Sequence, residues 1–267
     1  MKVAVVSDVH AASEALTKAA ADVDVFVCLG DLVLYLDYED PSRGIFAELF
    51  GVEHASEYIR RRTANDYEGA RALSDAAWQR LGIHEYADRR VLLDLKVREQ
   101  YEALFKAMPT PAYLTYGNVD LPDLWSAYLR DGHTVVDGGA VTIEGLRCGF
   151  VGGGLVSPMR TPFEQTEEQF AAKVDALGEV DVLFTHIPPK IPQLTYDTEA
   201  RRFEYGSSAL VEYINDVQPA FHFFGHVHQP LSARTRLGRT ECVNVGHFAA
   251  KKVPFVVDLD LDSVVGG

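Results

Sequence analysis

Five short strings place metal-type ligands at the ends of apolar runs: "SDVH" (Asp8, His10), "LGD" (Asp31), "YGN" (Asn118), "FTH" (His186) and "GHVH" (His226, His228). Together they offer two carboxylates, four imidazoles and one amide, a nitrogen–oxygen set without thiolate. Such a set suits Mn, Fe, Zn or Ni better than Ca or a purely structural zinc. Seven ligands are too many for one tetrahedral ion and fit two divalent ions that share a bridging carboxylate. Two ions about 3.5–4 Å apart can hold a bridging hydroxide and clamp a phosphoryl group during in-line displacement. Two dications, two carboxylates and one hydroxide leave a net positive centre, suited to an anionic phosphoester. Asn118 adds a ligand without adding charge, and its amide N–H can donate to a phosphate oxygen.

Taken singly, each residue has a plainer role. Asp8 could cap a helix, Asp31 could shape a turn, and His226 could be a satisfied core histidine. Their shared position is what argues for chemistry, because ligands of open α/β sheets bind outside the carboxyl ends of the strands. Residues 1–6 read as a short buried strand, "AASEALTKAAADVD" as a helix with Ser13 at its N-cap, and residues 23–30 as a second buried strand. That order predicts a right-handed βαβ unit and a parallel sheet. From about residue 35 to 108 no strand pattern appears, only helix-forming sequence, which predicts a helical insertion. "AYLTYG" resumes the sheet, and "LPDLWSAYLRD" reads as a short helix with proline in its first turn. "HTVVDG", "AVTIEG" and "LRCGFVGGG" read as antiparallel hairpin strands. "PFEQTEEQFAAKVDALG" and "GSSALVEYINDVQP" read as helices, the second capped, and "VDVLFTH" and "AFHFFGHVH" as strands. "LSARTRLGRTECVNVGHF" and "VPFVVDLDL" read as closing hairpin strands. The mixture predicts parallel units in one half, antiparallel pairing in the other, and helices outside.

A chain of 267 residues can hold one large domain or two modest ones. Its formal net charge of −14 repels nucleic acid and anionic lipid at long range, while a local cationic centre can still take a small anionic substrate. No apolar run approaches the roughly 18 residues needed to span a bilayer, and the N-terminus lacks the features of a signal peptide. Cys28, Cys148 and Cys242 are far apart and form no C-x-x-C pair, so three buried thiols in a reducing compartment, the cytoplasm, are expected.

In order and type, "DVH" at 8–10, "GD" at 30–31, "GNVD" at 117–120, "TH" at 185–186 and "GHVH" at 225–228 resemble the calcineurin-like metallophosphoesterases. The pattern of that family is D-x-H, G-D, G-N-[H/D], a later H, and G-H-x-H. The resemblance implies an α/β fold, a four-layer sandwich of two mixed β-sheets flanked by α-helices. It spans a single domain, 1–267, with the helical insertion or cap at 35–108. It implies one metal bound by Asp8, His10, Asp31 and His228, and another by Asp31, Asn118, His186 and His226, with Asp31 bridging. Asp31 and Asn118 are then the catalytic candidates, and Asn118 and His226 the substrate-binding ones. The implied cofactors are two divalent ions, Mn first, with Fe, Zn or Ni as alternatives.

One position departs from the pattern. Many members carry histidine where this chain has Val119, and that imidazole, paired with the acidic residue after it, is thought to protonate the leaving oxygen. Valine cannot, so Asp120 lacks its partner, and general acid assistance is typically worth about 10²–10⁴-fold. The chain is more similar to the subset with an apolar or cysteine residue there, whose members act mainly as phosphodiesterases. His247 and His222 are candidate replacement acids. The expected activity is therefore a phosphodiesterase using a hydroxide that bridges two metals, acting on a small, nucleotide-like phosphoester. A phosphomonoesterase, a nuclease and a non-catalytic scaffold are the alternatives, and the complete ligand set argues against the last. In the insertion, "RRR" at 60–62 and the tyrosines at 35, 38, 58, 67, 86 and 101 could form a substrate cap, pack the helices, or support a homo-oligomer interface.

Overall fold

Residues 3–6, 25–28 and 182–184 are apolar at every position, so neither face of the strands they form can be left to water. In the computed structural model, which describes residues 1–259, all of them are buried. The first large sheet has the order Phe255–Asp258, Lys2–Val6, Val25–Cys28, Ala112–Leu114, His133–Val135. Its last four strands run parallel, and Phe255–Asp258 pairs antiparallel with Lys2–Val6. The second has the order Arg234–Leu237, Thr240–Asn244, Phe221–Phe224, Val182–Thr185, Leu146–Val151, Gly139–Ile143. Its four central strands are parallel and both edge strands are antiparallel.

Strand alternation divides the apolar residues between two layers. Val3, Val5, Val25 and Val27 of the first sheet share one core with Phe150, Phe184, Phe223 and Val243 of the second. The alternate residues Val151, Leu183, Phe224 and Cys242 pack instead with Phe170 and Val174 of the helix Glu167–Asp175 and Leu210 and Ile214 of the helix Ser208–Val217. The result is an α/β sandwich of two large mixed sheets flanked by helices, as expected from the sequence. Each fully buried Phe in the shared layer contributes about 1.5–3 kcal/mol, so this layer is the rigid base for the strand ends above it.

Several local expectations are corrected. His133–Val135 joins no hairpin; it lies parallel to Ala112–Leu114, with Ala112 opposite His133 and Leu114 opposite Val135. Its side chains are only partly buried, which suits an edge strand, and the glycines at 138 and 139 carry the chain to the other sheet. Phe255–Asp258 closes the first sheet rather than a terminal hairpin, and the expected continuation through Asp260 and Leu261 lies outside the described residues. The first helix is only Ser13–Leu16; Ala12 holds the N-cap position and no side chain caps it. Thr17 Oγ1 donates to the Glu14 carbonyl, a local bond that competes with continued helix. Ser207 does not cap its helix either, because its hydroxyl donates to Glu167 Oε1. Thr166 and Gln169 form a full capping box on the helix Glu167–Asp175.

Two compact units are present: Met1–Leu32 together with the chain from Leu104 onward, and Val33–Ala103. The second contains the helices Ile45–Phe50, Val52–Thr63 and Tyr67–Arg80 and most of Tyr86–Ala107, with no strand. Tyr35, Phe46, Phe50 and Tyr58 build its small core, with Phe46 stacked on Tyr58 at 4.5 Å. Asp66 caps Tyr67–Arg80 by accepting from Gly69 N. Of the three arginines, Arg60 and Arg61 pair with Glu57, Arg61 also with Asp66, and Arg62 lies over the Tyr38 and Tyr58 rings. No helix among the described residues is long and apolar enough to cross a membrane. All three cysteines are free and buried, and burial pushes each thiol up to about 12, so they stay protonated.

Candidate metal centre

Each motif sits just past the carboxyl end of a strand. Lys2–Val6 leads to Asp8 and His10, Val25–Cys28 to Asp31, Ala112–Leu114 to Asn118, Val182–Thr185 to His186, and Phe221–Phe224 to His226 and His228. The glycines of the motifs permit this crowding. Gly30 has φ +92°, and a Cβ there would run into the Gly117 backbone nitrogen; a Cβ on Gly225 would strike Ser7 and the Asp8 carboxylate. Asp8, His10, Asp31 and His226 themselves occupy the left-handed region, at φ 58°, 39°, 53° and 67°. Such backbone costs on the order of 1–3 kcal/mol per residue and persists only where its surroundings over-determine it. Here Asp8 N donates to Gly30 O at 3.1 Å, His10 N to Asp31 O at 2.9 Å and Ala11 N to Leu32 O at 2.8 Å.

Five of the seven side chains fall in two overlapping groups. One donor atom each from Asp8, His10 and Asp31 lies within 4.8 Å of the others, and the same holds for Asp31, His186 and His226, so Asp31 is common to both. His186 Nδ1 faces the Leu29 carbonyl at 3.0 Å, which only an N–H can satisfy, and this directs Nε2 inward. There Nε2 lies 2.9 Å from Asn118 Oδ1 and 3.5 Å from Asp31 Oδ2. Three groups with lone pairs thus converge, an arrangement that needs a proton or a cation between them. Asp8 Oδ2 accepts from His226 N at 3.0 Å, while Oδ1 lies 3.6 Å from His228 Nε2, too long for a hydrogen bond. Asp8 Oδ1 and His226 Nε2 are buried without any hydrogen-bond partner. Orphaned ligand atoms of this kind are what a bound divalent ion would satisfy, so the residues fit the implied metals.

Charge tunes the cluster strongly. Burial alone would discharge His186, yet the Asp31 carboxylate beside it, helped by Asp8 and Asp120, raises its pKa to about 9. Burial opposes the charge of Asp8, but His228, His186 and His10 hold its carboxyl far below the ordinary range. Asp31 is likewise lowered against burial, by His186 first. His226 is pushed down by burial and by the neighbouring His186.

Of the two histidines considered as replacement acids, His222 is not in the site. Its Nε2 contacts Thr185 Oγ1 at 2.7 Å, its ring packs on Phe224, and burial pushes it down to about 3. His247 is in the site: its ring stacks on His228 with centroids 3.8 Å apart and meets His10 at 5.6 Å. Burial and the facing His228 push it down to about 3, so at pH 7 it is the neutral imidazole rather than the imidazolium a general acid uses. Lys190 is exposed, and the glycine run 152–154 packs on the Asn118 turn, with Gly153 N donating to Tyr116 O at 2.7 Å.

Three positioning groups stand behind the candidate ligands, and two of them, Thr161 and Asn244, lie outside the motifs. Asp120, deprived of an imidazole, accepts from Asp31 N at 2.8 Å, Leu32 N at 2.9 Å and Gly117 N at 2.8 Å. Burial and the nearby Asp31 carboxylate nevertheless raise its carboxyl to about 7. Asp120→Asn turns an amide N–H toward backbone donors, so a loss of about 1–3 kcal/mol in unfolding free energy is expected by denaturant titration. An unchanged midpoint would dismiss the three-donor role. Thr161 orients the asparagine: its hydroxyl donates to Glu164 Oε1 at 2.9 Å and accepts from Asn118 Nδ2 at 3.2 Å, which leaves Oδ1 facing His186. Thr161→Val is expected to weaken one metal site about 10–100-fold in titration calorimetry, as outer partners of ligands typically do, with Thr161→Ser near normal. Equal affinity in both variants would contradict that orienting role. Buried Asn244 ties two turns together, donating to Gly225 O and Val227 O and accepting from Gly246 N.

Among solved structures, the chain is similar to TT1561 of Thermus thermophilus, with a TM-score of 0.52 and 13% sequence identity over 96% of this chain and 98% of that one. The likeness is one of fold. No protein-family model matches the chain, and no curated protein matches it.

Proposed function

We propose that this chain is a metal-dependent phosphoester hydrolase that prefers phosphodiesters. The observation that carries the reading is Asp31, common to two ligand groups whose other members include Asp8 and His226, each with a buried atom, Oδ1 and Nε2, that has no hydrogen-bond partner. The similarity to a phosphoesterase-type fold supports it, as does the ordered run of motifs shared with the calcineurin-like metallophosphoesterases. Asp8, His10, Asp31 and His228 would hold one ion, and Asp31, Asn118, His186 and His226 the other, with Mn²⁺ the first choice. Bound there, two divalent ions would supply Lewis-acid activation of water and neutralise charge on the phosphoryl group.

The protein's own groups then divide the remaining work. Asn118 presents Oδ1 toward His186 and has one amide N–H on Thr161, which leaves its second N–H for a phosphate oxygen. The Val119 side chain has no proton to transfer, and its backbone N–H is occupied by Asp31 Oδ1 at 2.9 Å. Asp120 is turned onto backbone donors and His247 is neutral. No acid therefore stands ready for a poor leaving group, which favours diesters with leaving groups that depart unprotonated. A dianionic monoester needs additional cations, and Arg60 and Arg61 are already paired with Glu57 and Asp66. The net charge of −14 disfavours long nucleic acids and leaves a small, nucleotide-like diester as the substrate class.

The test is to strip metals, restore Mn²⁺, and compare turnover of bis-p-nitrophenyl phosphate with p-nitrophenyl phosphate. Faster diester cleavage is expected. A monoester preference would overturn the diesterase reading, and no turnover with Mn²⁺, Zn²⁺, Fe²⁺ or Ni²⁺ would sink the hydrolase and leave a binding scaffold.

A further inference from the structure

We propose that His247 is a further metal-ligating imidazole, joining His10 and His228 at the ion flanked by Asp8 and Asp31, an inference that rests on the metal-binding reading above. One ring nitrogen from each of His10, His228 and His247 lies within 4.8 Å of the others. Metal–imidazole bonds are roughly 2.0–2.1 Å long, so two nitrogens on one ion stand at most about 4.2 Å apart. Three nitrogens sharing one ion at that bond length stand roughly 3.0–3.6 Å apart, so pairs at the 4.8 Å limit close by about 1.2–1.8 Å, a movement of side chains rather than of backbone.

The backbone of His247 is tied to the same strand end that carries Asp8. Residues Ser7 and His247 form a parallel bridge, Phe248 N donates to Ser7 O at 3.0 Å, and Ala249 N donates to Asp8 O at 3.0 Å. The Asn244 side chain adds a second tie, bonding the 225–227 turn on one side and Gly246 N on the other. These bonds tie the turn bearing His228 to the turn bearing His247. No hydrogen bond joins the His247 ring to another described residue, and two imidazoles face it. A ring held so firmly, with its nitrogens unclaimed beside two candidate ligands, has the placement of a ligand. Among the motifs that resemble the metallophosphoesterases, none contains this position, so the chain offers one imidazole more than that pattern requires.

The decisive substitution is His247→Phe, which keeps a flat ring stacked on His228 and removes both nitrogens. Wild type, His247→Phe and the control His222→Phe are stripped of metal and titrated with Zn²⁺ and Mn²⁺ by calorimetry. Long-range ¹⁵N spectra of the wild-type imidazoles, with and without Zn²⁺, give a readout independent of activity and of any variant's folding. The expected result is two ions in wild type, a loss of at least about 100-fold in affinity for one of them in His247→Phe, and a large shift of a His247 ring nitrogen on Zn²⁺ addition. Two tight ions in both wild type and His247→Phe, or a His247 nitrogen unmoved by Zn²⁺, would overturn the proposal and leave the metal-binding reading intact. Failure of wild type to bind any ion would overturn both. Should His247→Phe not fold, the wild-type spectra decide.

Discussion

Asp31→Asn is expected to lower phosphodiester turnover by on the order of 10³-fold or more, because losing even one preorganised electrostatic group costs about 10²–10³-fold and Asp31 serves both ligand groups. The fold should survive. The remaining carbonyl oxygen can still accept from Val119 N, and Asp120 still holds the Asp31 and Leu32 backbone N–H groups. The new amide would replace Oδ2, which faces His186 Nε2 at 3.5 Å. Without the carboxylate, burial favours neutral His186, whose Nε2 can accept from that amide. Turnover, metal content and the thermal midpoint of the variant, measured together, separate the possibilities. Full turnover would remove Asp31 from the chemistry, and a variant that fails to fold would make its role structural first.

The second expectation is that metal affinity climbs about 50-fold between pH 7 and pH 9 for one displaced proton, close to tenfold per unit at first and flattening toward pH 9. In the metal-free protein His186 titrates at about 9, above the ordinary histidine value of 6.5, so at pH 7 it is charged and must lose its proton to become a ligand. His228 is also raised, by Asp8 acting against burial, and adds to the slope. Asp8 and Asp31 are held low and His226 and His247 are pushed down, so they are already in ligand form at pH 7. Calorimetry in buffers of different ionisation enthalpy should find at least one proton released per protein at pH 7.5. Affinity that stays flat from pH 7 to 9 would refute the assignment of His186 as a charged apo residue. The same shift sets the stability of the apo protein. A folded-state pKa above the unfolded one stabilises fully below about 6.5 and loses that contribution as pH rises through about 9. The apo thermal midpoint should therefore fall across that window, while bound metal offsets the loss.

Much of the architecture was legible because the physics is local. Short, wholly apolar stretches rich in β-branched and aromatic residues, such as 25–28 and 182–184, read as strands covered on both faces, and the candidate ligand residues follow them within a few positions. Capping was read less well: Ser13 and Ser207 do not cap their helices, while Thr166 and Gln169, not singled out from the sequence, form a full capping box. Pairing is not local. The segment His133–Val135 looks like the start of a hairpin, yet its partner is Ala112–Leu114, on the far side of a helix. Nothing in three residues of which two are half-buried and Thr134 is exposed states which edge they will join.

The site shows the same division. Sequence by itself determined the inventory of candidate ligands: Asp8, His10, Asp31, Asn118, His186, His226 and His228, their order, and the absence of an imidazole at Val119. Tertiary structure alone decided that Asp31 stands between the two groups, that Thr161 and Glu164 set the face of Asn118, and that His247 reaches His228 while His222 does not. The physical reason is that residue type and spacing specify what a strand end can donate. Which atoms meet, and with what charge, depends on burial and on neighbours brought from distant parts of the chain by the packing of the two sheets.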